Sequence, residues 1–344
     1  MSNLPHFFQQ DTPYFSSHYS ILIAITLPFL FSLFCAATIS RIGHRLALID
    51  NPNIRSSHSI PIPRGGGIGI WLAFVIIGVF IFKDNAFILI AGIAGLIGFL
   101  EDIFTLSSKI RLLIQIIISA LIAWLFLMMP LSMITVLLFI FWIVFITGTA
   151  NLYNFMDGIN GIAGFTGVVG FGLIAYFSYY ILNDYNLFLM SMILAAGCIG
   201  FLPFNFPKAK VFMGDVGSIF LGFVFASFVV KLSVTINIFL CLIMFLCTFY
   251  ADAAITIYYR WKRGENLMQA HRSHLYQYMS NELKLPHWKV TLLYAVVQLC
   301  FGAIAVAAYQ KGLVIQLILL LSFSIVFLVS YNLVKMMKPK LSEQ

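Results

Sequence analysis

Residues 112–150 read LLIQIIISALIAWLFLMMPLSMITVLLFIFWIVFITGTA and contain no Asp, Glu, Lys or Arg. Each half is long enough to cross the hydrocarbon core of a bilayer, which takes about 20 apolar residues of helix. Pro130 lies between the halves, so we interpret 112–129 and 131–150 as two spanning helices joined by a tight hairpin. This stretch predicts a helical membrane protein rather than a soluble globular one.

The same apolar character extends along the whole chain of 344 residues. Hydrophobic residues make up 61% and charged residues 9%, whereas an ordinary globular domain carries roughly 25% charged residues. A soluble fold of this size cannot hide so much apolar surface from water. We therefore predict an all-α, polytopic integral membrane protein with a single membrane-embedded domain over 1–344, including tails at 1–18 and 336–344. Eleven transmembrane spans are predicted, at 19–39, 65–82, 86–100, 112–129, 131–150, 161–182, 187–204, 216–231, 236–257, 288–309 and 313–334.

The distribution of basic residues predicts the orientation of these spans. With the N-terminus outside and the C-terminus cytoplasmic, seventeen of the 20 Lys and Arg residues lie on the cytoplasmic side, as the positive-inside rule expects. Only Lys83, Lys231 and Lys311 lie outside. The net charge of +8 does not indicate a nucleic-acid partner, because the basic residues form no continuous stripe.

Polar residues between the spans are concentrated in five segments, at 50–67, 101–111, 151–161, 208–218 and 260–287. Two predicted spans separate each segment from the next, so parity places all five on one face of the membrane. The orientation above makes that face cytoplasmic. We expect the chemistry of the protein to take place there.

Carboxylates reach this face from three of the segments, as Glu101, Asp102, Asp157 and Asp215, and Asp252 lies a little inside the ninth span. Ionisable groups at the rim of a bilayer are costly and are typical of functional sites. Gathered acids repel one another unless a cation lies among them, and Mg²⁺ binds carboxylate oxygens together with waters and substrate phosphates. Taken alone, Glu101 and Asp102 are equally explained as solvated residues at a helix end.

Glycines and a basic loop add to this pattern. Gly214 and Gly217 flank Asp215 at the start of a span, where backbone amides can approach an anion. His271 and His274 lie in a basic loop that suits diphosphate binding or general acid catalysis, although such a loop also forms where a protein only touches anionic lipid headgroups. Together these features favour metal-assisted phosphoryl transfer from a soluble donor to a lipid acceptor.

Two motifs carry a family resemblance, NLYNFMDGINGIAG at 151–164 and KVFMGDVGSIFLG at 210–222. With them the chain, over about residues 20–335, resembles the polyprenyl-phosphate N-acetylhexosamine-1-phosphate transferases, also called glycosyltransferase family 4. RSSHSIPIPRGGG at 55–67 and AHRSHLYQ at 270–277 look closest to the branch that initiates O-antigen synthesis.

The resemblance implies a multi-pass enzyme of the bacterial inner membrane with its active site on the cytoplasmic face. Such an enzyme transfers an N-acetylhexosamine-1-phosphate, or a 6-deoxy analogue, from a UDP-N-acetyl amino sugar to undecaprenyl phosphate. Its products are undecaprenyl diphosphate-sugar and UMP, and it begins the synthesis of O-antigen or another envelope polysaccharide. The implied cofactor is Mg²⁺, with Mn²⁺ as an alternative, and a homodimer is left open.

The resemblance also implies roles for individual residues. Asp102 stands as the candidate base or nucleophile, and the metal ligands are Asp215 and Asp157. The catalytic residues implied are Asp102, Glu101, Asp157, His274 and His271. The substrate-binding residues implied are Asn151, Asn154, Lys109, Arg111, Arg64, His58, Asp252 and Arg272. Two positions depart from the family pattern, because Glu101 and Asn160 each replace a usual Asp.

Two other functions fit parts of the sequence. A transporter or lipid flippase would suit eleven spans, but it would be expected to hold ions near the midplane, often between inverted repeats. Here the acids gather at one face and we find no repeat in the sequence. A polyprenyl diphosphate phosphatase is the nearest enzymatic rival, and it differs in not requiring a UDP-sugar.

Overall fold

The structure is a computed structural model that describes residues 17–46, 48–52, 57–82, 85–104, 106–127, 130, 132–266 and 272–337. Most of its described residues are helical. The exceptions in regular structure are two strands of two residues each, β1 (Ile49–Asp50) and β2 (Ile62–Pro63), which pair antiparallel. The predicted all-α, polytopic fold is confirmed.

In the part of the chain that the structure describes, eleven helical segments make up the bundle. They are α1 (Ser17–Ile42), α2 (Ile68–Ile81), α3 (Ala86–Phe104), α4 (Ser108–Phe126), α5 (Met133–Phe155), α6 (Ile162–Phe177), α7 (Tyr185–Asn205), α8 (Asp215–Leu232), α9 (Ile236–Ile243) continued by α10 (Cys247–Lys262), α12 (His287–Tyr309) and α13 (Leu313–Met336). A π-helical turn extends α6, and a 3₁₀ turn joins α9 to α10. One short helix, α11 (Leu275–Asn281), lies at an end of the bundle.

Ten of these segments are long and apolar enough to cross a membrane, counted over the residues that the structure describes. Helix α2 is the eleventh and has 14 residues. At 1.5 Å per residue it is about 21 Å long, which is less than the roughly 30 Å of a hydrocarbon core. The predicted third span, 86–100, continues to Phe104 as α3 and reaches 19 residues.

The predicted hairpin around Pro130 joins α4 to α5. Helix α5 begins with a capping box in which the Ser132 and Thr135 side chains each accept a hydrogen bond from the other's backbone N–H. The Thr135 hydroxyl also donates to the Pro130 carbonyl at 2.9 Å. These bonds satisfy amide groups that the first turn of a helix leaves unpaired, so the chain turns back sharply at this point.

Helix α8 is the centre of the bundle. Every residue of it is buried except Asp215 at its start and Lys231 near its end. Glycines allow neighbouring helices to approach its backbone, as small residues do in membrane bundles. Gly98 brings α3 against the backbone of Asp215 and Val216. Helix α8 therefore has little freedom to shift along α3.

The helix ends and polar contacts distinguish the two ends of the bundle. Helices α3 and α5 finish at the end where α8 begins, and the loop before α11 joins α13 there through a bond from Lys335 Nζ to the Ser273 carbonyl at 3.1 Å. At the other end, Lys231 lies 3.8 Å from Asp184. Helix α1 starts at that other end and α13 finishes at the first. The predicted N-terminus outside and C-terminus inside remain a prediction, since the structure contains no membrane.

Packing at Gly98 gives a stability prediction. A Cβ at this position would meet Val216 N at 2.7 Å as well as the carbonyl of Asp215. Because backbone atoms cannot move aside, Gly98→Ala should destabilise the protein by about 1–3 kcal/mol. Thermal unfolding in detergent measures this. The control is Gly172→Ala in α6, where nothing lies within 4 Å, and equal melting temperatures for the two variants would contradict the packing.

Candidate active site

A cavity of about 200 Å³ opens at the end of the bundle where α8 begins. All five polar segments contribute to its wall, as the parity of the predicted spans requires. The lining residues are Asp50, Ser57, His58, Arg64, Asp102, Asn154, Asp157, Gly158, Ile159, Phe212, Gly214, Asp215, Ser218 and Gln277. Six of the predicted site residues are among them: Asp102, Asp157, Asp215, Asn154, Arg64 and His58.

Asp102 holds the start of α8. Its side chain is 1% exposed, and its two carboxylate oxygens accept hydrogen bonds from the backbone N–H groups of Asp215 and Val216, both at 3.1 Å. The first turn of a helix has unpaired N–H groups and a positive partial charge, so an anion there is stabilising. Asp102 thereby fixes the position of Asp215, the first residue of α8.

Arg64 holds Asp102 from the other side. Its Nη2 donates to the backbone carbonyl of Asp102 at 2.8 Å, and its Nε lies 3.8 Å from the Asp102 carboxylate. The carbonyl belongs to the last turn of α3, where a cation is favoured. Arg64 itself follows β2 directly, and its N–H donates to the Leu48 carbonyl at 3.0 Å. The small sheet therefore positions the guanidinium beside the acids.

The glycines after Arg64 lie against the chain that leads into α8. Gly66 N–H donates to the Phe212 carbonyl and Gly67 N–H donates to the Met213 carbonyl, each at 2.8 Å. A Cβ at Gly67 would collide with the backbone of Gly217. The glycine segment after Arg64 and the loop that carries Asp215 are therefore in close backbone contact.

Arg111 links two of the predicted acids. Its Nη1 donates to Asp215 Oδ2 at 3.2 Å and lies 3.6 Å from Glu101 Oε1. Arg111 and Glu101 stand beside the cavity and do not line it. Lys109 is exposed on the first turn of α4, also outside the cavity wall. The Asp215 carboxylate is therefore already paired with one cation from the protein.

Asp157 lies in the turn between α5 and α6, half-buried. Its carboxylate makes no hydrogen bond or ion pair with another residue in the part of the chain that the structure describes. Burial raises the pKa of Asp157 well above its usual range, and the negative charges of Asp215 and Asp102 raise it further. Among the described residues, therefore, no positively charged side chain pairs with the Asp157 carboxylate.

The acids of the cavity wall offer oxygen ligands for a divalent metal ion. Among the described residues no three His, Cys, Asp or Glu side chains converge as a ready metal site. Mg²⁺ usually takes only one or two carboxylates from a protein and completes its shell with waters and substrate phosphates. Asp157 and Asp215 line the same cavity and supply oxygen ligands of that kind. These residues therefore fit Mg²⁺ bound together with a phosphate substrate.

Asn154 and His58 complete the polar wall. Asn154 is three residues before Asp157, and its side chain lies close to the Asp215 carboxylate. The ring of His58 packs on Phe212 with centroids 4.8 Å apart, and its Nε2 lies 3.8 Å from Asp50 Oδ2. Both side chains present groups that can bind an anionic or polar ligand.

Two other predicted substrate-binding residues have structural contacts away from the cavity. Asn151 donates to Gln115 Oε1 at 2.6 Å and to the Thr147 carbonyl at 2.8 Å, which ties α5 to α4. Arg272 donates to Glu282 Oε1 at 2.8 Å. Neither residue lines the cavity, so any contact of theirs with substrate stays a prediction.

Asp252 and the histidine loop form a second group outside the cavity wall. Asp252 is fully buried and lies 3.5 Å from His274 Nδ1. Its carboxylate binds the backbone at the start of α11. His271 lies outside the described residues. The implied substrate-binding role of Asp252 and the implied catalytic roles of both histidines remain predictions.

Four residues with polar side chains line the wall without being among the predicted site residues. They are Asp50, Ser57, Ser218 and Gln277. All four belong to the five polar segments, which is the one signal that the sequence offered for them. Asn160, the departure from the family pattern, faces elsewhere, because its side chain donates to the Pro207 carbonyl at 3.1 Å.

The bonds from Asp102 to α8 predict different effects for two substitutions. Asp102→Ala removes both acceptors and should cost about 1–2 kcal/mol of stability, as loss of a helix cap does. Asp102→Asn keeps one of the two acceptor oxygens but places its NH₂ group against the second N–H, so it should unfold between the wild-type and Asp102→Ala temperatures. Thermal unfolding of the two variants in detergent is the measurement. An alanine variant as stable as wild type would show that these bonds do not hold α8.

Comparison with known proteins agrees with the location of this site. Residues 85–233 match the sequence model of the family described as Glycosyl transferase family 4. This range runs from the start of α3 to the end of α8. It therefore contains Asp102, Asp157 and Asp215, three of the four acids of the cavity wall.

Curated relatives point to the same family. An undecaprenyl-phosphate alpha-N-acetylglucosaminyl 1-phosphate transferase of Thermotoga maritima is 30% identical over 201 residues, covering 56% of this chain and 59% of the relative. A probable undecaprenyl-phosphate N-acetylglucosaminyl 1-phosphate transferase of Bacillus subtilis is 29% identical over 221 residues, covering 59% and 60%. A phospho-N-acetylmuramoyl-pentapeptide-transferase of Staphylococcus epidermidis is 30% identical over 211 residues, covering 52% and 64%.

These alignments span about three fifths of the length of the curated relatives. The fold, the acidic cavity and the family match concern the same helices, α3 to α8. On this basis the chain is similar to glycosyl transferase family 4 over these helices, and its curated relatives include undecaprenyl-phosphate and decaprenyl-phosphate N-acetylglucosamine phosphotransferases.

Proposed function

We propose that the protein transfers an N-acetylhexosamine-1-phosphate, or a 6-deoxy analogue, from a UDP-sugar to undecaprenyl phosphate. One observation carries the proposal: Asp102, Asp157, Asp215 and Arg64 meet in one cavity at the end of a membrane-embedded bundle. Phosphoryl transfer depends mostly on positioning and on neutralising charge, and this wall supplies groups for both. The activities for which the relatives are named support a polyprenyl phosphate as the acceptor.

The proposed cofactor is Mg²⁺, with Mn²⁺ as the alternative, held by Asp215 and Asp157. When bound, the ion would supply positive charge against the diphosphate of the donor. Arg64 adds a guanidinium that matches phosphate oxygens in shape. His58 and Asn154 add hydrogen-bonding groups to the same wall.

The reaction forms one phosphorus–oxygen bond and breaks another. An oxygen of the lipid phosphate attacks the phosphorus that bears the sugar, and UMP leaves with the bridging oxygen. Both carboxylate oxygens of Asp102 accept backbone N–H groups of α8. A covalent phosphate on Asp102 would break at least one of these bonds, so we favour direct attack by the lipid, with Asp102 holding Asp215 in place or accepting the proton of the lipid phosphate.

The proposed setting is the cytoplasmic face of a bacterial inner membrane, at the start of O-antigen or other envelope polysaccharide synthesis. The basic residues support this orientation. Arg64 and Arg111 adjoin the cavity, and Arg41, Arg260 and Lys335 end helices α1, α10 and α13 at that end of the bundle. An excess of Lys and Arg is characteristic of cytoplasmic loops.

Release of UMP tests the proposal. Purified protein given undecaprenyl phosphate, Mg²⁺ and a panel of UDP-N-acetylhexosamines should release UMP, and a chelator should stop the release. Asp215→Asn should lower the rate by more than about 100-fold, since changes at metal sites commonly have effects of 10- to 100-fold even beyond the ligands. The matched control is Asp184→Asn at the other end of the bundle, where Asp184 caps α7 and Asn caps equally well.

Three results would contradict the proposal. If Asp215→Asn and Asp184→Asn were equally active, this cavity would not be the site of the reaction. No UMP from any donor, including 6-deoxy amino sugars, would favour the transporter. Phosphate released from a polyprenyl diphosphate without a UDP-sugar would favour the phosphatase.

A further inference from the structure

Helix α11 is fixed at its start by a buried acid. Asp252, on α10, accepts hydrogen bonds from Leu275 N–H at 2.8 Å and Tyr276 N–H at 3.2 Å. It also accepts from the hydroxyl of Tyr294, on α12, at 2.7 Å. Since a fully buried carboxylate is stable only when it is hydrogen-bonded, these bonds hold α11 to two membrane helices.

A second contact places α11 against the turn that carries Asp157. The hydroxyl of Tyr276 donates to the Phe155 carbonyl at the end of α5, at 3.0 Å. A Cβ at Gly158 would collide with this hydroxyl, so the absence of a side chain at 158 permits the approach. Helix α11 therefore forms part of the cavity wall beside Asp157.

Gln277 is the residue that α11 presents to the cavity. It is 7% exposed, and its Oε1 is buried and makes no hydrogen bond with any residue that the structure describes. Its Nε2 would lie 3.1 Å from a Cβ built on Gly158. A buried amide without partners is unfavourable, and a ligand in the cavity would satisfy it.

We infer that Gln277 determines donor specificity by hydrogen-bonding a neutral polar group of the UDP-sugar. This inference rests on the function proposed above. A side-chain amide is uncharged and offers both a donor and an acceptor, which complements another amide, an imide or a hydroxyl. The phosphates have charged partners elsewhere in the wall, at Arg64 and at the acids that fit a metal ion. The N-acetyl group and hydroxyls of the sugar, and the ring of uracil, are the neutral groups that the donor contains.

The experiment compares Gln277→Ala with Ser280→Ala. Both change a buried polar residue of α11, but the Ser280 hydroxyl donates to the Tyr276 carbonyl within the helix and does not line the cavity. Steady-state kinetics with the preferred UDP-sugar should show KM raised about 10- to 100-fold in Gln277→Ala, the range expected from one lost hydrogen bond to substrate. Ser280→Ala should match wild type.

Calorimetric titration of UMP then distinguishes the two sources of the neutral group. Weaker UMP binding by Gln277→Ala would place the contact on the nucleotide. Unchanged UMP binding with weaker UDP-sugar binding would place the contact on the sugar. The variant should then discriminate less between the preferred UDP-sugar and the others. Either result supports the inference.

If the wild-type protein releases UMP and Gln277→Ala keeps its KM and its donor preference within about twofold of wild type, the inference is overturned. The proposed function then stands. Equal losses in Gln277→Ala and Ser280→Ala would also overturn it, because they would show a general effect on α11. A wild-type protein that releases no UMP would overturn both the proposed function and the inference.

Discussion

The carboxylate of Asp102 bonded to the first amides of α8 is the interaction on which the site depends. It joins the end of α3 to the start of the most enclosed helix, and so it fixes Asp215 at the mouth of the cavity. Arg64 grips the same turn of α3 and Arg111 pairs with Asp215. A shift of α8 by one residue would break the bonds that Asp102 and Arg111 make with it.

The same device recurs at the other side of the cavity. Asp252 binds the first amides of α11, as Asp102 binds those of α8. In each case a buried acid on one helix holds the N-terminus of another helix, where the partial positive charge of the amides favours an anion. The rigid membrane helices thereby hold two short polar segments, which in turn carry Asp215 and Gln277 to the cavity. The family resemblance assigns Asp102 to chemistry and Asp252 to substrate binding, and in the structure each of them also holds the start of a helix.

Apolar run lengths and loop parity predicted the fold and the gathering of five polar segments at one end. They failed to predict that α2 has only 14 residues, because the glycines at the start of the apolar run 65–82 form a turn that contacts the Asp215 loop. The contacts of individual side chains could not be predicted from the sequence. Asn151 occurs in a family motif yet its side chain ties α5 to α4. Gln277 has no distinctive pattern, and its importance depends on the tertiary contacts of α11.

The central claim is that this cavity moves a sugar together with its phosphate from a nucleotide to a lipid. A UDP-sugar labelled with ³²P in the phosphate next to the sugar tests it most directly, because the label follows the bond that the reaction keeps. With undecaprenyl phosphate and Mg²⁺, the account predicts label in the organic-extractable lipid and unlabelled UMP in the aqueous phase, and neither with Asp215→Asn. Label that stays in the aqueous phase as UDP or free phosphate, with wild-type protein active in that release, would contradict it.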